Sequence, residues 1–259
     1  MSFPTASYSV LPILLCSHVV ASVTAIFDFN SEGANDYFSD SVTGWTQDSA
    51  NPVAFGNTFP LAYISSTNFG GGPSNSGHLG TQFGNTADNS STTVSGIFSP
   101  VAGGTGTIPS VTLNLAILDD SSDSFTGTDT FTVGVHNSAD VTIAQIEFTP
   151  NGGNWLVNGS SGISILPNSG YEFKINFAAD QTTYLWGNAN DGAFIVFDTA
   201  PAVAGAYLAG IEMTHIPVAS AGSSANTLVF DNIVATVPEP SALALFILGL
   251  PLLNLRRRG

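Results

Sequence analysis

The sequence predicts an all-β protein, two antiparallel sheets packed face to face as a β-sandwich or jelly roll. Three observations carry that expectation. Apolar and polar residues alternate with period two in run after run, whereas no 11-residue window repeats apolar residues at helical spacing. Stretches rich in Gly, Asn and Ser separate these runs. No segment recurs at a fixed period, as a propeller would require, so the strands are expected to close over one another in two layers.

Taken in order, residues 1–25 read as a signal peptide, to be removed by signal peptidase. The apolar run Val10 to Val23 has the length of a leader's hydrophobic region. Val23-Thr24-Ala25 supplies the small residues that precede a cut, so cleavage is expected before Ile26. The segment before the run has no Lys or Arg, which leaves the initiator amine as its positive charge. Cys16 does not read as a lipidation site, because bulky Leu14 and Leu15 precede it. It is the sole cysteine, so the exported body is expected to have neither disulfide nor thiol chemistry.

Residues 26–237 are expected to form the sandwich domain, long enough to bury a core of its own. The clearest strands are Val111–Ile117, Thr130–Val135 and Tyr171–Phe177. In the last of these Tyr171, Phe173, Ile175 and Phe177 share one face while Glu172, Lys174 and Asn176 share the other. One face is buried and one is wet. Along Val141–Phe148 the apolar phase changes, which predicts a one-residue bulge near Ala144 or Gln145. Further strands are expected over 26–29, 61–65, 78–83, 92–98, 182–186, 193–197, 206–213 and 227–236. Turns are expected over Gly70–Gly77, Gly103–Gly106, Asn151–Asn154 and Ala219–Asn226. In strand rhythm, Asn154–Gly159 and Tyr171–Asn188 resemble successive strands of concanavalin A-like, laminin-G-type jelly rolls.

The chain closes with a three-part tail over 238–259: Pro238-Glu239-Pro240, an apolar run from Ala242 to Leu255, then Arg256, Arg257 and Arg258. The two prolines fix φ and lack N–H groups, so Glu239 is expected in an extended stretch that joins neither sheet nor helix. As a helix the apolar run would rise about 21 Å against roughly 30 Å of hydrocarbon, a marginal anchor. The arginines resist translocation and should stay cytoplasmic. Motif, order and position resemble the PEP-CTERM sorting signal of exported bacterial proteins. That resemblance implies recognition by an exosortase, transient anchoring in the inner membrane through the C-terminal helix, removal of the tail, and release or attachment at the cell surface.

Charge narrows the function. Of 19 acidic residues all but Glu239 lie in the body, and of four basic residues only Lys174 does, which gives the body a net charge of −17. Such a surface repels nucleic acid and anionic lipid. No Gly-x-Ser-x-Gly, His-Glu-x-x-His, P-loop or Cys/His metal spacing occurs, and no Glu-x-Asp-x-Glu of jelly-roll glycosidases. The chain is therefore expected not to be an enzyme, and no catalytic residue is assigned. His136 reads as a solvated loop histidine.

Three sets of residues remain as binding candidates. Asp119, Asp120, Asp123 and Asp129 crowd oxygen ligands into one loop, which suits Ca²⁺. The loop lacks the Gly and Glu of an EF-hand, with Ser124 and Thr130 in their places. Asp28 and Asp231 form a second candidate, because the first and last strands of a jelly roll are often neighbours. Tryptophans beside polar residues suit sugar rings: Trp45 with Gln47 and Asp48, Trp155 with Asn154 and Asn158, and Trp186 with Asn188 and Asp191. Trp45 and Trp155 also suit a sandwich core, and Trp186 is the best placed to face outward. The resulting expectation is an exported cell-surface or extracellular-matrix protein that binds polysaccharide. A purely structural or adhesive surface protein is the alternative, and a glycosidase stands third.

Overall fold

The computed structural model describes residues 22–33, 38, 42–49, 62–65, 75–80, 91–98, 109–119, 129–159, 163–189, 191–203, 208–216 and 226–238. Residues 1–21, Asp120, Asp123 and 239–259 lie outside them, and so therefore do most of the expected leader and nearly all of the tail.

The described residues form two antiparallel sheets, with no helix among them. The first sheet has eight strands. Seven run in the order β13 (Ile195–Pro201), β12 (Gln181–Asn188), β11 (Tyr171–Phe177), β6 (Ser110–Asp119), β15 (Asn226–Pro238), β4 (Ser76–Gly80) and β3 (Ala62–Ser65). The eighth, β1 (Ser22–Phe27), pairs with the C-terminal half of β15. The second sheet runs in the order β10 (Ser164–Ile165), β9 (Asn154–Val157), β8 (Thr142–Asn151), β7 (Thr130–Asn137), β14 (Leu208–Ile216), β5 (Thr92–Ile97) and β2 (Trp45–Ser49).

Alternation explains the layering. In β11 the odd residues are buried and the even ones half-exposed, as the sequence predicts, and the inward residues of β7 and β14 face them across the interior. A large core between the sheets results, with a separate small cluster of Ala116, Leu118 and Val229, and removing the apolar area of the core from water is the main term that holds the sheets together. At one end Phe27, Phe29, Phe38, Trp45 and Phe230 pack as an aromatic cluster with ring centroids 5.3–5.7 Å apart. Trp45 lies over Gly96, where a Cβ would stand 2.8 Å from the indole, so no other residue fits beneath that ring. Trp155 is fully buried beside Phe131, with ring centroids 5.5 Å apart. Both tryptophans are core residues.

Several local expectations need correction. The one-residue bulge expected near Ala144 or Gln145 is not among them, since it is present beside Ala144: Val135 pairs with Ala144 and His136 with Thr142, which leaves Ile143 as the extra residue. His136 is part of β7, not of the loop after it. Val237 and Pro238 belong to β15, opposite Val23 and Ser22, because a proline at the end of a strand forfeits no further ladder bond. Gly77 lies inside β4, not in the turn expected to end there. The turn at Asn151–Asn154 is as expected: Gly152 and Gly153 adopt φ of 59° and 94°, and the hairpin of β8 and β9 closes on them.

Candidate functional site

The outward face of the eight-stranded sheet carries a row of polar groups, two half-buried (Glu172 and Asn114) and one buried (Asp231). Glu172 alternates outward from the buried Tyr171 and Phe173 and stands opposite Asn114 of β6. Asn114 in turn stands opposite Asp231 of β15. Strand spacing puts neighbours in the row about 4.8 Å apart. The row therefore crosses three adjacent strands with no aliphatic side chain between its members.

A bulge fixes the end of the row. Asp231 pairs with Asn114 and Val234 with Thr112, so Asn232 and Ile233 together oppose Leu113 alone. Asn232 takes the strained turn at φ 49°, a region asparagine tolerates. Its backbone N–H donates to Asp231 Oδ1 at 2.8 Å and its amide to Oδ2 at 3.5 Å. Because β1 runs along this half of β15, Asp28, just past the end of β1, comes close enough to Asp231 for the two charges to interact. Asp28 Oδ1 itself accepts from the Asn30 N–H at 3.2 Å.

Burial changes the chemistry of these acids. The Asp231 carboxyl is pushed up to about 7, first by burial and then by the negative charge of Asp28, with the Asn232 N–H opposing. Burial raises Glu172 as well; Lys174 pulls it down and Asp191 pushes it up again. Lys174 is the only Lys or Arg among the described residues, and its Nζ lies 5.7 Å from the centre of the Phe194 ring. The row thus offers an amide, one carboxyl that can keep its proton near neutrality, a second whose ionisation is hindered, and a flanking ammonium. Such a set both donates and accepts hydrogen bonds.

The other sequence candidates are dispersed. Trp186 stands opposite Phe173 on the inward side and is half-buried at the core's margin, 5.6 Å from Tyr171 by ring centroids. Asn188 and Asp191 are exposed beyond it. The Asp191 carboxylate accepts from the Ala193 N–H at 2.8 Å, and its own N–H reaches the Asn188 carbonyl at 3.4 Å. Asn158 is occupied at the rim between the sheets: it accepts from Glu147 N–H at 2.9 Å and donates to Asp198 at 3.0 Å. Asp119 ends β6 opposite Asn226. Asp129 is fully buried, with Oδ2 3.4 Å from Nε2 of the equally buried His215. Asp120 and Asp123 lie outside the described residues. Among the described residues no group of three or more His, Cys, Asp or Glu is placed to hold a metal.

Sequence reasoning missed Glu172, Asn114 and Lys174 as site members. Their outward phase was readable from the alternation. What could not be read was the register that sets β6 between β11 and β15.

No protein-family model matches the sequence, and no curated protein matches it. Solved structures do resemble the fold. The CBM2 module of the evolved Dit protein of Lactobacillus casei BL23 phage J-1 is 14% identical, with 85% of this chain and 97% of that one aligned and a TM-score of 0.50. A carbohydrate esterase of the Shiga toxin-encoding bacteriophage phi24B is 12% identical over 85% and 100% of the two chains, TM-score 0.48. The lectin from Bauhinia forficata, solved in complex with GalNAc, is 11% identical over 84% and 99%, TM-score 0.44. At these identities the likeness is one of fold, a jelly-roll sandwich.

Proposed function

We propose that the chain is an exported, non-catalytic module that binds a polysaccharide across the outward face of its eight-stranded sheet. The observation that carries this reading is the Glu172–Asn114–Asp231 row, whose half-buried members Glu172 and Asn114 offer donors and acceptors that match the hydroxyls of a sugar chain laid across strands, with Asp231 buried behind them. The resemblance in fold to a phage carbohydrate-binding module supports it. With a body charge of −17 and one lysine, the ligand is neutral and not an acidic glycan. Glycan-array binding tests the reading. Asn114→Ala and Glu172→Ala should each weaken retention of a neutral polysaccharide about tenfold, with melting temperature nearly unchanged. Equal binding by both variants and the wild type would overturn it.

Export follows from the two ends. Signal peptidase removes the leader, and an exosortase recognises Pro238-Glu239-Pro240 while the apolar run and Arg256–Arg258 hold the tail in the inner membrane. The mature protein then works outside the cell or on its surface.

Ca²⁺ belongs to the same reading at Asp28 and Asp231. Two carboxylates close enough for their charges to interact suit a hard divalent ion. The remaining oxygens would come from carbonyls and water. Millimolar Ca²⁺ at pH 8 should raise the melting temperature of the wild type and not that of Asp231→Asn. Equal melts with Ca²⁺ and with EDTA would remove the metal.

One observation favours the structural or adhesive alternative. β13 is an edge strand, and Ile195 and Val196 on it are 64% and 53% exposed. Such an edge can accept another strand.

A further inference from the structure

We propose that signal peptidase cuts between Ala21 and Ser22, so that the mature chain begins at Ser22 and keeps the whole of β1. This rests on the export reading and moves its cleavage point by four residues. The sequence offers two sites of the same type: Val19-Val20-Ala21 and Val23-Thr24-Ala25 both place valine three residues before the cut and alanine directly before it. With the first site the apolar stretch from Val10 to Val20 still has the length a leader needs. The small-residue rule behind the expected cut before Ile26 is met equally by the first site.

The ladder chooses. β1 runs from Ser22 to Phe27, and its six residues pair one for one with Pro238 back to Ile233. A cut before Ile26 would strip Ser22, Val23, Thr24 and Ala25, leaving only Ile26 opposite Val234 and Phe27 opposite Ile233. Ala235 to Pro238 would then lose their neighbour on that side, and two of the six pairs would remain. A cut before Ser22 removes none of these six pairs. Of the two sites, the one before Ser22 keeps every one of these pairs.

The same register places the expected leader and tail side by side. Ser22 and Pro238 are direct partners, about 5 Å apart at Cα. The two segments expected to meet the membrane therefore join the body at neighbouring positions.

Mass spectrometry of the N-terminal peptide, from full-length protein expressed in a Gram-negative host and recovered outside the cytoplasm, tests the assignment. A peptide that begins at Ser22 is expected. One that begins at Ile26 would overturn this cut while leaving export intact, whereas a chain that retains Met1 in the cytosol would overturn export itself. Paired variants give a second readout: Ala21→Leu should block or displace processing and Ala25→Leu should leave it unchanged. The reverse pattern would refute the proposal. A chain trimmed to begin at Ile26 should also melt at least about 5 °C below one that begins at Ser22. Equal melting temperatures would remove its structural basis.

Discussion

Two buried aspartates of this sandwich solve the same problem in opposite ways. Asp129 lies between the sheets with its Oδ2 3.4 Å from His215 Nε2, and the imidazole stacks on Phe131 at 4.9 Å. Asp231 lies on the outer face with Asp28 as its charged neighbour, and among the described residues it accepts from the Asn232 N–H groups. One acid is buried against a base, the other against an acid. Burying a carboxylate next to a group that can carry positive charge makes the pair part of the fold, whereas burying it next to another carboxylate stores a cost that a proton or a cation relieves.

The sharpest way to break that contrast is Asp129→Ala. It leaves His215 buried without its partner and should cost about 3–5 kcal/mol in urea unfolding at pH 7. A loss below about 1 kcal/mol would mean that the pair does not stabilise the core. Asp231→Asn should act in the other direction. The folded carboxyl titrates at about 7 against an ordinary 3.8, so between those values the folded chain holds a proton that the unfolded chain has released. Stability therefore falls as pH rises through that window, and at pH 8 the wild type carries the whole cost, up to about 4 kcal/mol. The variant should be more stable than the wild type at pH 8, equal to it at pH 4, and flatter between, as read by thermal melts across pH. Asp28→Asn removes only the neighbouring charge. It should move the wild-type pH profile towards lower pH and gain about 1 kcal/mol or less at pH 8. Glu172→Gln, on a half-exposed position, should change stability by no more than about 0.5 kcal/mol.

How much of this was legible beforehand differs between these regions for a physical reason. The phase of Tyr171, Phe173, Ile175 and Phe177 assigns the inward face of β11 without any knowledge of its neighbours, because alternation is a property of one strand. The adjacency of Asp28 and Asp231 was also readable, since a first and last strand that pair bring their acids together. Asp129 was not. As one of several acids in a run it reads as a solvated ligand, and only the pairing of His215 with Phe131 across β14 and β7 puts a base beside it. β2 was missed because Trp45-Thr-Gln-Asp-Ser49 has one apolar residue, and that residue is fixed by the aromatic cluster and not by alternation. Trp186 was read as outward because a polar loop follows it. The register with Phe173 turns the ring the other way.

The pairing of Ser22 with Pro238 has a practical corollary. A body in which Ser22 and Pro238 are direct neighbours can be spliced, between those two positions, into an exposed loop of an unrelated host without prising that loop open. For the same reason a short Gly/Ser bridge across those two positions would let the polypeptide be reopened elsewhere, for instance at the Gly152–Gly153 hairpin, to give a permuted version with the same sheets.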